Sequence, residues 1–352
     1  MRLIAVSRCL AEKDSACVFP EQVLISGLNA TPHSSMNSSQ TRRDFAKLAL
    51  AALPGTALLS AVSRLRAADT AAKPDSKVAG VQIGLNVPYS FKNALMSGDD
   101  ILKNCVQLGL SGLELRTQPV EAFLGLPPIE SARSKAENAQ EVREWRKNVS
   151  MDRVKEFRSK YENAGVLIEI VKVDGIFKMS DEEVDYAFNL AKALGARAIS
   201  TEITHEKEEL QRLGDLKRLG GFADKHQFMV GYHGHQDTKP EDWEAGFALA
   251  KFNGANVDLG HFVAGNNTSP VPFITQYHDR VTHVHVKDRK FNRGPDTPFG
   301  EGDTPIKDVL HLIRDKKWNI QATIEFEYKI PAGSDLMTEI ARTIQYCRDA
   351  LA

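Results

Sequence analysis

Eight short apolar runs recur between residues 78 and 328 of this 352-residue chain, each followed by a longer amphipathic segment. They are VAGVQIGLN (78–86), GLELR (112–116), VLIEIVKVD (166–174), ARAISTE (196–202), FMVGYHGH (228–235), ANVDLGH (255–261), VTHVHVK (281–287) and QATIEFEY (321–328). Near-continuous apolar runs of this length read as strands of a parallel sheet. The intervening segments, such as GDDILKNCVQLG, MDRVKEFRSKYENAG and SDEEVDYAFNLAKALG, read as helices. Several stop at glycine, which accepts the left-handed backbone of a helix C-terminus. Strand and helix alternating eight times predict an α/β fold, a single-domain (β/α)8 TIM barrel. A doubly wound open sheet is the alternative, but no G-x-G-x-x-G opens the first helix. The stretch from Thr117 to Val154 is long for a connection and predicts a loop with an extra helix over the active face.

The N-terminal part does not share this pattern. Residues 40–68 read QTRRDFAKLALAALPGTALLSAVSRLRAA, with Arg42 and Arg43 ahead of an apolar run from Leu48 to Val62. The order of charge, apolar core and small residues resembles a twin-arginine export signal, with Ala46 where leucine is common. The expected organisation is an unstructured leader (1–35), with Met36 as a candidate start, a signal (36–72) and the barrel (73–352). The signal's core is too short for a comfortable membrane span, so no stable anchor is expected after cleavage. The predicted destination is the periplasm.

A formal net charge of -1 supplies no basic field, which argues against nucleic acid as a partner. Cys9, Cys17, Cys105 and Cys347 form no C-x-x-C pair, so no zinc knuckle or redox motif is indicated. Cys105 and Cys347 lie in the expected barrel, where buried free thiols are the simpler expectation than a disulfide.

In a β/α barrel, chemistry gathers at the C-terminal ends of the strands. Ionisable residues concentrate there: Glu114 and Arg116, Glu202, His233 and His235, Asp258 and His261, His283, His285 and Lys287, then Glu325 and Glu327. Burying so many without partners is costly. Carboxylates and imidazoles converging on one ring suit one divalent metal ion, and the oxygen and nitrogen donors favour Mn, Mg, Co, Zn or Fe. The expected ligands are Glu202, His233, Asp258, His285 and Glu325. Glu202, Glu325, His261 and Lys287 are the expected catalytic groups. Glu114, Arg116, His235 and His283 are candidates for substrate contact or support of the ligands. Side chains two apart on a strand share a face, so His283 and His285 point the same way, with His283 one layer deeper. Lys287 and Asp288 are expected at the rim.

These residues carry a resemblance. HVHVKD is similar to the H-x-H-x-K-D strand of the xylose isomerase-like TIM barrels, the group of sugar phosphate isomerases and epimerases. VDLGHF resembles that family's D-x-x-H strand, YHGHQ its Y-H-N-H strand and TIEFEY its I-E-x-E strand. The resemblance covers roughly residues 78–350. It implies a divalent ion held, as in ketose 3-epimerases, by residues on strands five to eight. Asp258, His285 and Glu325 match, and His261 matches a substrate-facing histidine. The strand-five carboxylate is absent, with His233 in its place, and Glu202 on the neighbouring strand is the candidate substitute.

The resemblance implies a metal-dependent sugar isomerase or epimerase that abstracts a proton next to a carbonyl, through an enediolate. An exported 3-keto-glycoside lyase and a non-catalytic sugar-binding barrel are the alternatives. The expected partner is a small sugar or keto-glycoside, and self-association is left open.

Overall fold

Strand alternation decides which residues meet at the centre of this protein. The structure is a computed structural model that describes residues 72–203 and 208–352. The eight barrel strands are β1 Val81–Val87, β2 Gly112–Arg116, β3 Leu167–Lys172, β4 Ala198–Glu202, β5 Met229–His233, β6 Asn253–Asp258, β7 Val281–Val286 and β8 Gln321–Ile324. Each pairs in parallel with the next, and β8 pairs with β1, so the sheet closes. A two-residue strand, Lys77–Val78, lies antiparallel to β1. The chain is therefore the (β/α)8 barrel that the eight-fold alternation predicts.

Helices cover the outside because each has a start and a stop written locally. Ser97, Ser134 and Ser180 cap three of them, accepting the backbone N–H three residues on. Ser134 and Ser180 form full capping boxes with Glu137 and Glu183. Gly109, Gly165 and Gly195 take positive φ just past three helix ends. Val284 and Val286 of β7 and Val257 of β6 join the apolar layer between strands and helices. The alternate positions His283, His285, Asn256 and Asp258 are wholly buried in the barrel interior.

Five strands stop earlier than their apolar runs, two of them at Lys172 and Val286. β5 ends at His233, leaving His235 in the following loop. β6 ends at Asp258, and His261 belongs to the helix Leu259–Asn266. β8 ends at Ile324, so Glu325 and Glu327 lie beyond it. The long connection after β2 holds two helices, Thr117–Leu124 and Lys135–Asn148, rather than one. Cys105 and Cys347 are both free and buried. The leader and, apart from Ala72, the twin-arginine segment lie outside the described residues, as does His205. Among the described residues no helix is long and apolar enough to cross a membrane.

Candidate active site

The site begins with Asp258, which ends β6 and caps the next helix. Its Oδ1 accepts the backbone N–H of His261 at 2.7 Å. That bond fixes the carboxylate, so the D-x-x-H spacing is a helix cap before it is anything else. It also leaves Oδ2 free, and this atom is buried and accepts no hydrogen bond. Three further groups surround it. His285 Nδ1, also buried without a hydrogen bond, lies 3.9 Å away. Lys287 Nζ forms an ion pair at 3.1 Å. Glu325 Oε2 lies 2.8 Å from the same ammonium and 3.4 Å from His285 Nδ1. Glu325 is steadied from the other side by Asn86, whose Nδ2 donates to Oε1 at 2.8 Å.

His233, Asp258, His261 and Glu325 bring donor atoms within 4.8 Å of one another. These atoms fit a divalent ion. Ligands about 2.1 Å from a common centre lie roughly 3.0–3.5 Å apart, and His285 Nδ1 and Glu325 Oε2 already have such a spacing. Asp258 Oδ2, ion-paired with Lys287 but without a hydrogen bond, and His285 Nδ1 are the atoms such an ion would satisfy. The charge balance agrees: Asp258, Glu325 and Glu327 all surround the ammonium of Lys287.

His261 separates from this set on hydrogen-bonding grounds. The Arg289 guanidinium, always a donor, gives a hydrogen bond to His261 Nδ1 at 2.7 Å. Burial pushes the ring's pKa down to about 4, against the opposing pull of Asp258, so it is neutral near pH 7. Its Nε2 faces the Lys287 ammonium at 3.1 Å, so cationic donors stand at both ring nitrogens.

Glu202 departs from expectation. It is not one of the central group. Its Oε1 takes the buried ammonium of Lys172 at 2.5 Å, and Oε2 accepts from His235 at 2.8 Å. Burial opposes its ionisation, but Lys172 and His235 bring its pKa to about 2. It approaches His233 Nε2 only to 3.9 Å, forming with His233 and His235 a separate group at the mouth. The reason is Lys172: a lysine ending β3 fixes the carboxylate that β4 supplies.

Lys287 and Asp288 also differ from the rim positions expected of them, since both are buried. Asp288 accepts from the backbone N–H groups of Gly300, Gly302 and Thr304 at 2.7, 3.0 and 3.2 Å. A Cβ on Gly302 would fall 1.9 Å from Asp288 Oδ1, so only glycine permits that approach. The same loop holds Arg289, through Thr304 Oγ1 to its backbone N–H and Asp303 N–H to its carbonyl. Asp288→Ala is expected to lower stability by about 2–3 kcal/mol and to loosen the Arg289–His261 contact. Denaturant unfolding together with the histidine NMR signals of the variant checks both.

Glu114 and His283 lie below the site, fully buried. Arg116 pairs with Asp174 at 2.6 Å and stacks over the Tyr89 ring, whose hydroxyl donates to Glu327. His235 is half exposed beside Glu202. Sequence reasoning missed Lys172, Asn86, Asn256, Tyr89 and Arg289. The clearest missed signal was Lys172, a charge inside the apolar run VLIEIVKVD.

The sequence profile of the xylose isomerase-like TIM barrel family matches residues 102–349, and the chain belongs to that family. A search of curated proteins finds no match. Among solved structures, the chain is similar to the probable 3-DHS dehydratase AsbF of Bacillus anthracis, involved in petrobactin synthesis, at 15% identity and TM-score 0.53, over 76% of this chain and 99% of that one. It is similar to a D-psicose 3-epimerase crystallised with D-fructose at 12% identity and TM-score 0.53, over 77% and 99%. A xylose isomerase-like barrel protein from Mycobacterium smegmatis, in complex with magnesium, matches at 15% identity and TM-score 0.51, over 77% and 96%. At these identities the likeness is one of fold.

Proposed function

We propose that this chain is a metal-dependent sugar isomerase or epimerase that moves a proton on a carbon next to a carbonyl. One observation carries the reading: carboxylates stand on opposite walls of the mouth. Glu325 follows β8 and Glu202 ends β4, four strands apart in a closed ring of eight. Exchanging a proton between two faces of a flat enediolate requires acid–base groups on both sides.

Asp258, His285, His233 and Glu325 are the residues that would hold the ion. A bound divalent ion supplies Lewis-acid stabilisation of the negative charge that develops on the sugar oxygens. Glu325 is the base on its wall, with Oε2 facing the cluster and Oε1 fixed by Asn86. His261, held by Arg289, would contact a substrate oxygen. Lys287 stays protonated, because Asp258, Glu325 and Glu327 outweigh the effect of burial. Glu202 with His235 handles the proton on the opposite wall. A free sugar as substrate suits export through the twin-arginine route proposed for residues 36–72.

A second reading is a lyase acting on a 3-keto-glycoside by β-elimination. It is favoured by the Lys172–Glu202 ion pair, which engages Glu202 at the mouth and leaves Glu325 as the carboxylate of the central cluster. Elimination needs one base and an acid for the leaving group, roles open to Glu325 and His261. The similar fold of a probable dehydratase is compatible with this reading.

Metal analysis of the purified full chain is the first test. About one divalent equivalent per chain, with a lower melting temperature after chelation, is the expected result. Less than about a tenth of an equivalent, with stability unchanged by chelator, would favour a metal-free sugar-binding barrel. Incubation with free ketoses and with 3-keto-glucosides then separates the readings. Aglycone release confined to the keto-glycoside would dismiss the isomerase.

A further inference from the structure

Two histidines, on β5 and β7, must both show a bare nitrogen to one ion if the proposed metal site is to work. An imidazole does so only when its other nitrogen has a fixed acceptor. The layer beneath the site supplies two acceptors. Glu114 on β2 lies across the barrel from β7, and its Oε2 is 2.6 Å from His285 Nε2. The same oxygen is 3.4 Å from His283 Nε2. All three side chains are wholly buried.

Asn256, one inward position below Asp258 on β6, is the second. Its terminal amide lies 3.1 Å from His233 Nδ1 and 3.0 Å from His285 Nε2. Nitrogen and oxygen of an amide exchange by a half-turn, and its Oδ1 has no partner in the opposite setting. With the oxygen toward the rings, it accepts from His233 Nδ1–H and from His285 Nε2–H. One half-turn removes a clash of donors at His285 and moves the amide nitrogen to the place where Oδ1 has no partner.

We infer that Glu114 and Asn256 are positioning residues that fix the tautomers of His285 and His233. Glu114 keeps the His285 proton on Nε2 and turns Nδ1 toward Asp258 Oδ2 and Glu325 Oε2. Asn256 keeps the His233 proton on Nδ1 and leaves Nε2 bare. The inference rests on the metal-site reading above and adds how a histidine can stand where the resemblance predicts a strand-five carboxylate. A carboxylate needs no tautomer set, whereas an imidazole at that place needs Asn256 beneath it.

The test uses the full chain with 15N-labelled histidine, and Zn2+ as the probe. Wild type, Glu114→Leu, Glu114→Gln, Asn256→Leu and Asn256→Asp are compared by competition with a fluorescent chelator and by long-range 1H–15N spectra. Leucine at either position is expected to weaken Zn2+ binding by about ten- to a hundredfold. Glu114→Gln and Asn256→Asp, which keep an acceptor oxygen, should recover part of that loss and guard against a variant that fails to fold. The zinc-loaded wild type should show His285 protonated on Nε2 and His233 on Nδ1. Unchanged affinity and unchanged proton positions in both leucine variants would overturn the inference. So would a second zinc equivalent lost only on changing Glu114, which would make Glu114 a ligand. If wild type takes up no metal, the metal reading falls by itself. The inference then stands or falls on His233, whose proton must sit on Nδ1 in wild type and lose that preference in Asn256→Leu.

Discussion

Glu325→Gln is expected to lower kcat on the productive sugar by about 10²–10⁴-fold, with little change in fold. The fold should survive because glutamine keeps the oxygen that accepts from Asn86 Nδ2. Lys287 also keeps Asp258 and Glu327 as partners. What disappears is the carboxylate on that wall that faces both His285 and Lys287. The measurement is turnover together with exchange of the substrate's α-proton in D2O. Glu202→Gln gives the contrast. In an epimerase or isomerase it should slow product formation while exchange of the first proton continues. In a lyase it should leave elimination largely intact. Full turnover in Glu325→Gln would remove the residue from the chemistry.

Lys287→Met should destabilise the metal-free protein by about 3–5 kcal/mol, a fall in Tm of roughly 6–15 °C. The ammonium is 2% exposed and lies among three carboxylates. Methionine matches its length but leaves those charges facing one another in a dry interior, and an uncompensated buried charge is among the costliest defects a core can carry. The deficit should shrink when Mn2+ or Mg2+ is added, because a cation replaces part of the lost positive charge. Melting curves with and without metal check both parts. A melting temperature equal to wild type in chelator would show that the cluster does not depend on Lys287.

The two variants differ in what they probe. Glu325 is judged by rate, Lys287 by stability, and neither result can substitute for the other. Together they separate a cluster built for chemistry from one that merely neutralises buried charge.

The sequence was informative where periodicity or chain order decides the outcome. Eight apolar runs separated by capped helices leave few alternatives to a closed barrel, because each strand must bury both of its faces. The order of strands in a barrel also follows the chain, so the position of Glu325, Asp258 and His285 at neighbouring strand ends was legible. Alternation placed His283 one layer below His285, and the structure has it there beside Glu114. The twin-arginine segment was read from local order alone and lies outside the described residues.

What the sequence did not decide were contacts between strands. Lys172 and Glu202 are thirty residues apart, and nothing local says that β3 would neutralise the carboxylate of β4. Glu114 and His285 are 171 residues apart and meet only because the ring closes. The sequence by itself determined the barrel, the ring of ionisable strand ends and the identity of the donors. Tertiary structure decided which groups face each histidine nitrogen, which carboxylate is already paired and which lysine is buried. The physical reason is that strand periodicity sets which face a side chain occupies, whereas its partner depends on atoms brought from other strands of the ring.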